Sequence, residues 1–120
     1  LEALDAAAPN RSLKILAITR EDLFIPILTY VFGEAQLNGR ACIVSTKRLA
    51  EEITADERGL EKRLVKEAIH ELGHTFNLRH CKENNCIMHY CRGVRDVDRK
   101  TRDFCRYCRV MLADEIKNLS

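Results

Sequence analysis

Apolar residues recur at helical spacing through the middle of the chain. Leu60, Leu64, Ala68, Leu72 and Phe76 form one stripe, and Val65 and Ile69 widen it. Thr54-Ala-Asp-Glu57 reads as a capping box, so the predicted helix starts near Thr54. Gly59 is a cost near its start with no assigned purpose. Upstream, Leu13 to Thr19 is β-rich and mostly apolar, which predicts an interior strand. Glu21 and Asp22 open a loop that Pro26 keeps irregular. Thr29 to Phe32 and Ala41 to Ser45 are two more β-prone runs, and Asn38-Gly39 between them predicts an antiparallel hairpin. Leu1 to Ala8 reads as the last turns of a helix stopped before Pro9. Phe104, Cys108, Met111, Leu112 and Leu119 give the C-terminal segment the apolar face of a final helix. Strands before a long helix, with a short helical end, make the expected class α+β.

The 120 residues suit one domain. A net charge of +2, with acids and bases interspersed, predicts neither a nucleic-acid stripe nor a polybasic membrane patch. Arg92 to Arg109 is richer in cations, but Asp96, Asp98 and Asp103 break the run, so a solvated surface is expected there. The charge-free run from Leu23 to Gly33 is too short to span a bilayer. No signal peptide is visible, and a cytoplasmic protein is the expectation; the sequence leaves the oligomeric state open, with a monomer favoured. The chain begins at Leu1, so part of the N-terminus is expected to lie outside it.

Candidate chemistry concentrates from His70 to His80, H-E-L-G-H-T-F-N-L-R-H. On a helix, His70 and His74 project from one face one turn apart, the spacing two nitrogens need to hold one metal ion. Glu71 is turned off that face, where it can address a water. This is the His-Glu-x-x-His pattern of zinc-dependent hydrolases. His80 lies too far along to share the helix face, so the helix must end first and the chain turn back. Two close cysteine pairs follow, Cys81/Cys86 and Cys105/Cys108. Four thiolates so arranged suit a closed, tetrahedral structural zinc. Two disulfides are the competing reading, and a redox role for C-R-Y-C is a third. Cys42 is expected to be a small buried hydrophobe. Cys91 has no assigned role.

The stretch resembles the metzincin metallopeptidases, whose third histidine follows a glycine and whose chain continues to a Met-turn. Asn77 replaces that glycine here. Asn tolerates the left-handed conformation nearly as well, so the turn is retained in expectation. Cys directly after the third histidine, then C-I-M, then C-x-x-C, is similar to the archaemetzincins over His70 to Cys108. That resemblance implies a zincin-like fold: a twisted mixed β-sheet packed on the metal-binding helix, in a single catalytic domain whose residues 81–120 form a C-terminal subdomain. It implies two zinc ions per chain, one catalytic on His70, His74 and His80 and one structural on Cys81, Cys86, Cys105 and Cys108. It further implies Met88 as an apolar floor beneath the histidines, and a strand edging the cleft beside an extended peptide. Tyr90 is a candidate oxyanion donor, and His89 is expected outside the ligand set. The expected function is peptide hydrolysis by a zinc metallopeptidase with Glu71 as general base. A vestigial, zinc-stabilised interaction module and a zinc-reservoir protein are the rivals. No specificity pocket is legible.

Overall fold

The structure, a computed structural model, describes residues 1–7, 13–26, 29–51 and 57–118. Its elements in order are α1 (Glu2–Ala7), β1 (Ile15–Thr19), β2 (Leu23–Phe24), β3 (Tyr30–Val31), β4 (Gly33–Ala35), β5 (Ala41–Ser45), α2 (Thr46–Leu49), α3 (Glu57–Thr75), α4 (Val94–Arg99) and α5 (Arg106–Lys117). The fold is α+β as expected. The capping side chains of Thr54 and Glu57, together with Pro9 and Leu119, lie outside what is described.

The main sheet has the order β1-β5-β4 and is mixed. β1 runs parallel to β5, pairing Ile15 with Ala41, and β4 runs antiparallel, pairing Gly33 with Val44. β5 is apolar up to Ser45 and takes the centre, with Ala41, Cys42 and Val44 fully buried. The expectation of an interior strand at Leu13 to Thr19 is corrected. β1 has only β5 beside it among the described residues, and Leu13 and Ile18 are 60% and 57% exposed. An apolar run does not report how many neighbours a strand has.

The predicted hairpin is present with different partners. Asn38 takes φ 56° in the link before β5, as its Asn-Gly signal implies. The strand opposite β5 is Gly33–Ala35, whereas Tyr30–Val31 pairs with Leu23–Phe24, inside the stretch read as an irregular loop. Phe32 is the break between them. Its side chain is buried, and its carbonyl still accepts from Ser45 N at 2.9 Å.

α3 joins two apolar clusters. Leu60 and Leu64 pack against Phe32, Val44, Leu49, Val94 and Val97. Ile69 packs against Leu78, Cys86, Ile87, Met88 and Cys108, with Phe104 and Leu112 alongside. The helix also carries a second stripe at helical spacing. Arg63, Glu67, His70 and Glu71 are buried although polar, and His74 continues the row. Arg63 ends that stripe in a fork to Asp98 at 2.9 and 2.8 Å and a bond to Leu49 O at 2.8 Å.

The arginines from Arg92 to Arg109 are exposed, as the solvated-surface expectation has it, and Lys100 is the exception. The run contains α4, whose Val94 and Val97 enter the first cluster, and Lys100 just after it is 1% exposed. In α5, Cys108 and Leu112 face inward as expected, but Met111 is 47% exposed. No helix among the described residues is long and apolar enough to cross a membrane.

Candidate metal centres and cleft

α3 delivers His70 and His74 to one side. It then ends as the sequence requires: Asn77 adopts φ 68°, its N–H bonds His74 O at 3.0 Å, and Leu78 N bonds Gly73 O at 3.1 Å. The reversal brings His80 back, so that one ring nitrogen from each histidine falls within 4.8 Å of the others. His70 Nδ1 bonds Ile87 O at 2.8 Å and His74 Nδ1 bonds Leu78 O at 2.7 Å. A carbonyl can only accept, so each Nδ1 carries the proton and each Nε2 presents a lone pair. Those two Nε2 atoms stand 3.2 Å apart. Two nitrogens on one tetrahedral zinc stand roughly 3.3 Å apart, given bonds of about 2.0–2.1 Å. Burial is the main cause that holds all three imidazoles below their ordinary pKa, with the Lys100 charge adding to it, so they are neutral and able to ligate at pH 7. The donor set therefore fits a zinc ion.

Glu71 is 4% exposed and lies under β4. A Cβ at Gly33 would stand 2.6 Å from Glu71 Oε2 and 2.8 Å from Ile43 O, so only glycine lets the strand approach. Glu67, one helical turn earlier and equally buried, shares a side-chain hydrogen bond with Glu71. Burial first, then that bond and the Glu67 charge, push the Glu71 carboxyl well above its usual range.

Met88 is completely buried. It packs so tightly on α3 that a Cβ at Gly73 would lie 2.5 Å from its Sδ. Tyr90 is half exposed, its ring centroid 5.2 Å from that of His80. His89 turns away, its Nδ1 2.8 Å from Cys81 O, and stands outside the histidine set as expected. Glu67, His70, Glu71, His74, His80 and Tyr90 line one open cleft of about 660 Å³. Among the described residues β4 is an edge strand, and it lines the cleft wall with Gly33 and Ala35.

The sulfurs of Cys81, Cys86, Cys105 and Cys108 also gather within 4.8 Å of one another, and all are free thiols. Cys81 and Cys105 are 3.6 Å apart at sulfur, far beyond a disulfide of about 2.05 Å. Cys86 Sγ accepts from Met88 N at 3.4 Å and Cys105 N at 3.3 Å. Cys105 caps α5. Burial opposes its ionisation, but the Cys108 N–H and the neighbouring thiols bring it down to about 7. This set fits a closed tetrahedral zinc. Cys42 is buried as expected, and burial above all pushes its thiol up to about 11.

Gly33, Glu67, Gly73 and Lys100 escaped the sequence reading. Glu67 stands four residues before Glu71, so helical spacing could have found it. A helix-interior glycine such as Gly73 is a signal of close packing. Lys100 gave no signal, because buried and solvated lysines look alike in sequence.

The sequence model of peptidase family M54 matches residues 5–114. The archaemetzincin of Methanopyrus kandleri is 43% identical over 104 residues, covering 87% of this chain and 58% of that protein. The archaemetzincin of Archaeoglobus fulgidus is 45% identical over 93 residues, covering 78% and 56%. The M. kandleri crystal structure superposes with a TM-score of 0.88 at 40% identity, over 97% of this chain and 64% of that one. A zinc-dependent peptidase from Methanocorpusculum labreanum superposes with a TM-score of 0.78 at 44% identity, over 82% and 53%. The chain thus spans a little over half the length of the curated relatives it matches. Its two donor sets and its cleft stand on the fold of solved archaemetzincins, and the chain belongs to peptidase family M54.

Proposed function

We propose that this chain carries the catalytic centre of a zinc metallopeptidase that hydrolyses peptide bonds, with Glu71 as general base. One observation supports the reading above the others: the buried Glu71 carboxyl and three neutral imidazoles line the same open cleft. His70, His74 and His80 would hold the catalytic ion, and Cys81, Cys86, Cys105 and Cys108 a second, structural one. A zinc ion on the histidines would supply Lewis acidity, bringing a water's pKa toward about 7 and balancing charge on the scissile carbonyl. Glu71, whose raised pKa in the metal-free protein the positive charge of a bound ion would bring down, takes the proton of the attacking water and delivers it to the leaving amine. The substrate lies extended along β4, whose free edge offers main-chain N–H and C=O groups to a peptide. Tyr90, beside His80, offers its hydroxyl to the developing oxyanion. Residues 81–118 act as a subdomain organised by the thiolate set.

The test is a peptide-library digest comparing the zinc-loaded protein with Glu71→Ala. Cleavage by the parent that Glu71→Ala lacks, with metal content unchanged, is the expected result. Equal cleavage by both refutes the role of Glu71. Absence of cleavage by a fully zinc-loaded parent favours a vestigial interaction module.

A further inference from the structure

Lys100 is buried beneath the histidine site, and the hydrolysis proposed above makes no use of it. Its Nζ donates to Ile87 O at 2.8 Å and to His89 O at 3.2 Å. These are the carbonyls on either side of Met88. Ile87 O also accepts from His70 Nδ1 at 2.8 Å. The 3.4 Å between Lys100 Nζ and His70 Nδ1 is therefore a contact of two donors sharing one acceptor.

The lysine is itself fixed. It closes the end of α4, with its N–H on Asp96 O at 3.3 Å, and Val97 anchors that helix in the core. The next residue, Thr101, bonds Asn85 O through its backbone at 2.9 Å. The ammonium is thus held from one side and grips the methionine turn from the other. An ammonium removed from water is expensive unless its protons find acceptors. Here two of its protons are spent on the peptide groups that seat Met88 and orient His70.

We propose that Lys100 is a positioning residue for the histidine site. Its ammonium straps the turn around Met88 and fixes the carbonyl that aims the His70 ring. It thereby sets the affinity and geometry of metal bound by His70, His74 and His80. This rests on the reading of those histidines as a metal site.

The test uses protein whose cysteine site is first filled with zinc, then titrated with cobalt(II) against a competing chelator. Parent, Lys100→Met and Lys100→Arg are compared, with circular dichroism melts on each. Lys100→Met keeps the stem and removes the donors. It should bind cobalt about ten- to a hundredfold more weakly, the range of losses when a ligand's supporting partner is removed. Its visible cobalt spectrum should change, while its cysteine-bound zinc remains. Lys100→Arg restores donors and should recover most of the affinity. A folded Lys100→Met with the parent's affinity and spectrum overturns the proposal. So does a loss that only tracks the unfolded fraction, with an unaltered spectrum of the bound cobalt. If Lys100→Met does not fold, nuclear magnetic resonance of the parent decides. Slowly exchanging Lys100 ammonium protons, close to the His70 Nδ1 proton, support the strap; fast exchange and no proximity refute it. A folded parent that binds no cobalt at the histidines overturns the metal-site reading itself, and the strap with it.

Discussion

Gly73 lies against Met88 so closely that a Cβ on the glycine would stand 2.5 Å from the methionine Sδ and 3.0 Å from its Cε. Met88 is wholly buried, with Phe104 on the same side, so its thioether has no room to retreat. The glycine sits between the two helical histidines and sets how near Met88 can come to α3.

Gly73→Ala sets two effects against each other. Alanine is the better helix former by about 1 kcal/mol. Forcing a methyl into a filled core costs about 1–3 kcal/mol. The clash is with a fully buried group, so the net effect expected is a lower melting temperature. Weaker metal binding at the histidines should accompany it, because Met88 and the helix between His70 and His74 must move apart. A melt combined with a chelator competition measures both. A more stable variant with unchanged metal affinity would show that the contact is slack.

Gly33→Ala tests the other wall of the cleft. Its methyl would meet Glu71 Oε2 at 2.6 Å and Ile43 O at 2.8 Å, and the second of these is backbone. The strand or the carboxylate must move. Peptide hydrolysis should fall toward the loss for Glu71 itself, about 10²–10⁴-fold for removing a general base. Zinc on the histidines should be retained, since none of them touches Gly33 in this way. Undiminished hydrolysis by a folded Gly33→Ala would mean that β4 yields freely and does not position Glu71.

The pH dependence of the metal-free protein has a definite sign at Glu71. Burial, then Glu67, raise its folded-state pKa above the ordinary 4.5. The folded state therefore binds its proton more tightly than the unfolded state does. Its contribution to stability is complete below about 4.5 and is lost as pH rises toward the raised value. Glu71→Gln keeps the shape without the proton. The stability of Glu71→Gln relative to the parent should increase with pH above about 4.5, by up to about 1.4 kcal/mol per unit. The three histidines act with the opposite sign. Their lowered pKa values make stability fall as pH drops below about 6.5, equally in both proteins. Urea unfolding of both proteins at several pH values isolates the carboxyl. A pH-independent difference would mean that Glu71 is not held protonated.

The residues that carry chemistry were legible because their spacing is the message. His70, His74 and His80 needed only a helix and a reversal, and Asn77 supplies the reversal at φ 68°. The cysteine pairs converge for the same reason. Strand partners were less legible: β1 reads as central yet lies at an edge among the described residues, and Phe32 separates Tyr30–Val31 in one sheet from Gly33–Ala35 in the other. Pairing depends on where a chain bends, and a single buried phenylalanine decides that here. Lys100 was the least legible, because its burial comes from Val94 and Val97 anchoring α4 and not from any property of the lysine.

The two donor sets share one short piece of backbone, and that makes them testable as a pair. His80 and Cys81 are adjacent. Cys81 N bonds Met88 O at 3.0 Å, so the residue after the third histidine is tied to the turn whose Ile87 O accepts from His70. Cys81 Sγ faces Cys105 Sγ at 3.6 Å, and Cys105 N reaches Cys86 Sγ. His80 itself stands past the end of α3 and is exposed. Fixing one such residue costs about 1–2 kcal/mol of backbone entropy if nothing else holds it. Zinc on the thiolates would hold Cys81 to α5 and leave His80 little of that freedom to lose. Replacing Cys105 and Cys108 by serine should therefore weaken metal binding at the histidines by about tenfold, the lower end of losses for supporting groups around a metal. The measurement is a zinc titration of the double mutant, confined to preparations that circular dichroism shows to be folded. A folded double mutant that lacks the cysteine-bound zinc but binds the other ion as tightly as the parent would establish that the backbone bond from Cys81 to Met88 suffices, and that the two sites are independent.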